Sequence, residues 1–183
     1  MDTIELFELS LLHTLQSAVQ CTPLDLIMPY ITALADHGIV PILVALALLC
    51  HKRTRRLGIT ISAALLLGLI FGNLMLKPLI ARIRPYDLDP SIVLLIPPEH
   101  DFSFPSGHTL ASFETAFSVF LYNKRAGGAA LTLAALVAFS RLYLMVHYPS
   151  DVLVGLLLGC LFAYVGYVVT KRLYLYAEAR RGL

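Results

Sequence analysis

The run from Leu57 to Leu76 contains no charged residue, and it constrains the fold more than any other part of the chain. At ~1.5 Å rise per residue, a helix of that length crosses a bilayer core of ~30 Å. Val152 to Thr170 is a second such block. In hydrocarbon the backbone must satisfy its own hydrogen bonds, so blocks of this kind fold as helices. Composition agrees: 58% of the 183 residues are hydrophobic and 14% are charged, far from the averages of soluble domains. The expected fold is all-α, a multi-pass transmembrane helical bundle that forms one membrane-embedded domain over residues 1–183.

Ile4 to Ala18 reads as a helix with Ile4, Phe7, Leu11 and Leu15 at three- and four-residue spacing and acids near its start, suited to the membrane surface. Residues 1–37 therefore read as an interfacial or partly spanning N-terminal region. Pro23 to Ala35 and Gly38 to Cys50 are apolar pieces split by Asp36-His37-Gly38, either one broken span or two elements. Helices follow over Leu57–Lys77, about Thr109–Tyr122, Gly127 to about Val146, and Pro149–Lys171, with a polar loop from Arg82 to Ser106. The expectation is about five or six spans beside the N-terminal interfacial helix. The opening Met1-Asp2-Thr3-Ile4-Glu5 is acidic where a secretory signal is basic, so no cleaved peptide is expected.

Cys21, Cys50 and Cys160 lie in apolar stretches with no CxxC or Cys/His spacing, and are expected to be small buried hydrophobes. A net charge of +2 does not suggest a nucleic-acid partner. Where the basic residues sit matters more. Lys52, Arg53, Arg55 and Arg56, then Lys124 and Arg125, then Lys171, Arg172, Arg180 and Arg181 mark cytoplasmic ends by the positive-inside rule. Lys77, Arg82, Arg84 and Arg141 then fall near the opposite, extracytoplasmic face of a cell membrane, where such charges mark a site.

Three segments converge on that face. KPLIARIRP ends a membrane helix with Lys77 and offers Arg84 before Pro85; the helix should stop near there, because proline disfavours helical geometry in the preceding residue. Lysine acts on phosphate as a point charge and arginine as a two-pronged donor. FPSGH places Ser106 and Gly107 before a helix, where an N-cap, free N–H groups and the helix dipole attract an anion, with His108 beside it as a proton donor. In SRLYLMVHYPSD, Asp151 lies one turn after His147 and can orient its imidazole for attack, while Arg141 supplies a third cation.

Together the segments resemble the type-2 phosphatidic acid phosphatase and vanadium haloperoxidase superfamily. The family's lysine, six residues and Arg-Pro correspond to Lys77, Arg84 and Pro85; its Pro-Ser-Gly-His to Pro105–His108; and its Ser-Arg, His and Asp to Ser140, Arg141, His147 and Asp151. The motifs cover residues 77–151. The resemblance implies that Lys77, Arg84, Ser106, Gly107 and Arg141 hold the phosphoryl oxygens of a lipid phosphate in the bilayer. His147 attacks phosphorus, Asp151 orients it, and His108 protonates the leaving oxygen. No metal or cofactor is implied, because the cations supply the charge stabilisation.

Small relatives with this organisation act on undecaprenyl diphosphate, phosphatidylglycerophosphate or phosphatidic acid. The compact chain facing the side where the polyprenyl carrier is released favours the first. A vanadate-holding haloperoxidase and a non-catalytic lipid-phosphate binder or transporter are the rival readings. Asn73, one turn before Lys77, and Glu114, in the helix that His108 opens, are expected to support the site or to pack. Arg82 is expected to touch substrate or a headgroup or to support the site, and the loop containing Pro97, Pro98, Glu99, His100 and Asp101 to form a lid.

Overall fold

The structure, a computed structural model, describes residues 3–180. Arg181, grouped above with the last basic cluster, lies outside them. Among the described residues the secondary structure is entirely helical. Helices α1 (Thr3–Val19) and α2 (Thr22–Ala33) are followed by a 3₁₀ turn (Asp36–Gly38) and α3 (Ile39–Cys50). Then come α4 (Arg55–Leu67), a π-helical stretch (Gly68–Leu76), α5 (Lys77–Ile80) and α6 (Pro85–Leu88). The chain closes with α7 (Gly107–Tyr122), α8 (Lys124–Tyr143) and α9 (Pro149–Arg180).

Four helical segments among the described residues are long and apolar enough to cross a membrane: Thr22–Cys50, Arg55–Leu88, Lys124–Tyr143 and Pro149–Arg180. The first contains the break at Asp36–Gly38, where His37 (φ 52°) and Gly38 (φ 68°) are left-handed, so α2 and α3 are separate helices joined by a turn. Helix α7 has 16 residues and is packed on several sides by its neighbours.

The core is built on α7, which lies between α8 and α9, with α4 completing the packing against α9. A Cβ on Gly155 would meet the Ser106 carbonyl oxygen at 2.8 Å, and one on Gly159 would meet the Leu110 carbonyl oxygen at the same distance. Glycine at these positions lets two backbones approach closely, which a side chain would prevent. The result fixes the start of α9 against the start of α7, and the Ser106 amide donates to the Asp151 carbonyl at 3.1 Å.

The helix of the first motif ends three residues before the position its proline alone would set. Ala81 adopts the left-handed conformation and caps α5, so residues 81–84 run free of helix and Arg84 is extended, as its place before Pro85 requires. Two cysteines depart from expectation: Cys21 and Cys50 are exposed and Cys160 is half-buried; all are free thiols. Cys21 stands at a helix start and Cys50 at a helix end, where neighbouring helices do not cover them. On α1 the stripe Ile4, Phe7 and Leu11 is exposed, whereas Glu8 and Leu12 turn inward, Leu12 against Met145 and Tyr148.

The basic clusters gather at one end. Arg56 pairs with Glu178 at 2.5 Å and stacks on Tyr174, and the Tyr122 hydroxyl donates to the Arg56 carbonyl. The three motifs gather at the other end.

Candidate active site

Lys77 and Arg84 of the first motif and Arg141 and His147 of the third are all buried. Arg84 and Arg141 are 1% and 0% exposed, so their charges need partners close by. Those partners come from the loop before α7. Asp101 accepts from Lys77 Nζ and from Arg84 Nη2, each at 2.5 Å. Glu99 accepts from Arg84 Nη2 at 3.1 Å and pairs with Arg141 Nη2. Two carboxylates thus cover three cations. Burial alone would raise Glu99, but the charges of Arg141 and Arg84 outweigh it and hold the carboxyl at about 2. Asp101 is held at about 2 as well, with burial again opposed, here by Lys77 and Arg84. Tyr86 anchors the loop by donating to the Glu99 carbonyl at 3.0 Å and accepting from the Glu99 amide at 3.1 Å.

His147 has one ring nitrogen on each side of this arrangement. Its Nε2 lies 3.3 Å from Arg84 Nη1, a permanent donor, so Nε2 carries the lone pair and the proton sits on Nδ1. Nδ1 is 3.5 Å from Asp151 and 3.4 Å from Ser103 Oγ, while Ser103 donates to Asp151 at 2.5 Å. The expected His–Asp contact is therefore long, and a serine hydroxyl bridges it. Burial, then the charges of Arg84 and Arg141, hold His147 well below its ordinary value, which keeps the ring neutral.

Asp151 also accepts from the Tyr148 amide at 2.9 Å and from Arg82 at 2.6 Å. Arg82 therefore stands behind the His–Asp pair. It also meets Glu8 at 2.6 Å, Ser150 Oγ at 2.7 Å, Glu5 at 3.9 Å and the face of Tyr148. These contacts take up its guanidinium beside the site.

Ser106 is the N-cap of α7 and accepts from Thr109, which leaves Gly107 and His108 at the open helix start. His108 Nε2 lies 2.7 Å from Asp36 Oδ1. A cavity of about 900 Å³ begins at Lys77, Glu99 and His108 and descends along Ile42, Leu46, Leu65 and Leu69. Asn73 and Glu114 line it too, and Asn73 Oδ1 and Glu114 Oε1 are buried without a hydrogen-bond partner. Glu114 stands against Gly68 of the π-helical stretch, a local departure from α geometry of the kind found beside functional sites. Among the described residues no group of three His, Cys, Asp or Glu side chains is placed to hold a metal ion.

Chemically, the site combines fixed cations, a neutral imidazole with an available lone pair, and a second imidazole at a helix start. Sequence reasoning missed Glu99 and Asp101 as cation partners, Ser103 as the bridge, Asp36 as the partner of His108, and Glu8 behind Arg82. Glu99 and Asp101 were visible only as members of a loop.

A family model described as the PAP2 superfamily matches residues 39–175. The undecaprenyl-diphosphatase of Sulfolobus acidocaldarius is 37% identical over 113 residues, 61% of this chain and 54% of that protein. Undecaprenyl-diphosphatase BcrC of Bacillus subtilis is 31% identical over 147 residues, 76% of this chain and 73% of that protein. The crystal structure of Aquifex aeolicus LpxE superposes with a TM-score of 0.77 at 26% identity, covering 86% of this chain and 93% of that one. The chain spans about half the length of some of these curated relatives, 54% for the Sulfolobus protein.

Proposed function

The chain belongs to the PAP2 superfamily, and from that membership we propose that it hydrolyses a lipid phosphate or diphosphate through a phosphohistidine on His147. The observation that carries this reading is the placement of Glu99 and Asp101. Their carboxylate oxygens lie on Lys77, Arg84 and Arg141, where the negative oxygens of a phosphoryl group would lie. Such a pocket is built for a compact polyanion. With a phosphoryl group in place of the carboxylates, Nε2 of His147 attacks phosphorus, and Arg84 beside it stabilises the charge that develops. His108 gives a proton to the leaving oxygen and later takes one from the water that releases phosphate.

The cations take the place that a metal fills in other phosphoryl-transfer sites, so the activity is metal-independent. The basic ends of the bundle are the cytoplasmic ones by the positive-inside rule, which turns the site outward from the plasma membrane. Undecaprenyl diphosphate is the substrate this reading favours, supported by the names of the relatives and by the apolar cavity that starts at the site. The bundle comprises five or six spans with α1 at the interface.

Right-side-out vesicles given undecaprenyl diphosphate externally, with EDTA present, are expected to release phosphate into the medium and to be blocked by vanadate. Loss of release in EDTA with recovery on adding magnesium, or release only after detergent opens the vesicles, overturns metal independence or sidedness respectively. Faster release from phosphatidylglycerophosphate or phosphatidic acid at matched surface concentration reassigns the substrate.

The loop carboxylates must leave before a phosphoryl group can bind. Glu99→Gln combined with Asp101→Asn is therefore expected to lower the inhibition constant for vanadate by roughly tenfold, equivalent to ~1.4 kcal/mol. Vanadate should also raise the melting temperature more in the double variant, whose cations lack a resident partner. An unchanged inhibition constant would show that Glu99 and Asp101 do not compete with the bound anion.

A further inference from the structure

Asp36 lies outside the residues matched by the family model, in the turn between α2 and α3, yet its carboxylate meets His108 at 2.7 Å. The His108 side chain is 12% exposed and that of Asp36 48%, so the bond reaches from solvent to a mostly covered ring. The turn that presents Asp36 is specific: His37 and Gly38 are both left-handed, and the Gly38 amide closes back on the Ala35 carbonyl at 3.1 Å. We infer that Asp36 is a positioning residue for the proton-transferring histidine, a second His–Asp pair facing the one formed by His147 and Asp151. The inference rests on the phosphohistidine reading given above.

The chemistry follows from which nitrogen is held. A carboxylate only accepts, so the Nε2 bonded to Asp36 carries a proton, and Nδ1 is left for transfer. In the first half-reaction the His147 Nε2 lone pair forms the N–P bond. The P–O bond breaks with its electron pair going to the leaving oxygen, and the proton on His108 Nδ1 passes to that oxygen. In the second, water attacks phosphorus, its proton returns to His108 Nδ1, and the N–P electron pair goes back to His147. Asp36 stays ionised throughout. It fixes the ring and favours the imidazolium, as a carboxylate does for a histidine that must accept a proton.

The steps differ in their need for this help. Departure of an alkoxide needs a proton; departure of 4-nitrophenolate does not. Return of the water proton needs His108 for every substrate. Asp36→Asn keeps the shape of the side chain and removes its charge. With phosphatidic acid in detergent micelles, its turnover is expected to fall by about 10- to 100-fold, less than the ~10²–10⁴-fold that general acid–base catalysis supplies, because the histidine itself remains. With 4-nitrophenyl phosphate, the variant is expected to release a burst of 4-nitrophenolate at near the wild-type rate. A slow steady state should follow while acid-labile phosphoenzyme accumulates. Asp36→Glu should restore part of the steady-state rate.

Equal slowing of the burst and of the steady state, or unchanged turnover of phosphatidic acid, would overturn the inference, because Asp36 would then only support the fold or do nothing. Absence of any acid-labile phosphoenzyme in the wild-type protein would instead overturn the phosphohistidine reading on which the inference rests.

Discussion

Replacing His147 with alanine is expected to abolish turnover of every substrate and to leave no acid-labile phosphoenzyme. In the proposed mechanism His147 forms the bond to phosphorus, and among the described residues the groups that touch its ring are not placed to take over. Ser103 Oγ is on the Nδ1 side and donates to Asp151, while Arg84, the group beside Nε2, has no lone pair to offer. His108→Ala should behave differently. Loss of general acid catalysis costs about 10²–10⁴-fold, so this variant should still release 4-nitrophenolate from an activated aryl phosphate while failing on an alkyl lipid phosphate. Asp151→Asn should lie between the two, because Asp151 orients the ring and stabilises its charge without touching phosphorus. A phosphoenzyme that persists in His147→Ala and vanishes in His108→Ala would exchange the two roles.

The motif residues were legible in the sequence because they sit at or beside helix ends that local chemistry announces. Pro85 enforces an extended Arg84, Ser106 caps α7, and Pro149 opens α9. Helix ends in a membrane bundle collect at two faces, so charged motifs at alternate ends must meet. What no local pattern carries is the pairing across the fold. Glu99 reaches Arg141 over 42 residues, Asp36 reaches His108 over 72, and Glu8 reaches the Ser150 amide over 142. Glu99 and Asp101 stand in a loop without periodicity, where nothing distinguishes a solvated acid from the partner of a buried cation. Asp36 was recognisable as part of a helix break, but the break does not say which helix its carboxylate will face. The π-helical stretch at Gly68–Leu76 was equally invisible, since its residues have the apolar pattern of an ordinary span.

Arg82 shows the same limit from the other side and leads to the second large effect. Two residues before Arg84, it reads equally as a contact of substrate, a headgroup contact or a support of the site, and it lies between two buried acids, Glu8 and Asp151, at 2.6 Å from each. The side chains of Arg82, Glu8 and Asp151 are 11%, 8% and 0% exposed, so water cannot compensate either carboxylate when the guanidinium is removed. Breaking a buried pair by deleting one partner typically costs ~3–5 kcal/mol. Arg82→Ala is therefore expected to destabilise the detergent-solubilised protein by about that amount and to loosen α1 from the start of α9. Arg82→Lys keeps one charge but cannot bridge Glu8, Ser150 and Asp151 with a planar fork, and should recover only part of the loss. Adding Glu8→Gln to Arg82→Ala should recover stability as well, because it removes one of the stranded charges. A ligand of substrate would give another pattern: Arg82→Ala would raise KM with the melting temperature unchanged, and Glu8→Gln would rescue nothing. Chemical or thermal unfolding of the single and double variants, read beside KM for one lipid phosphate, separates the two.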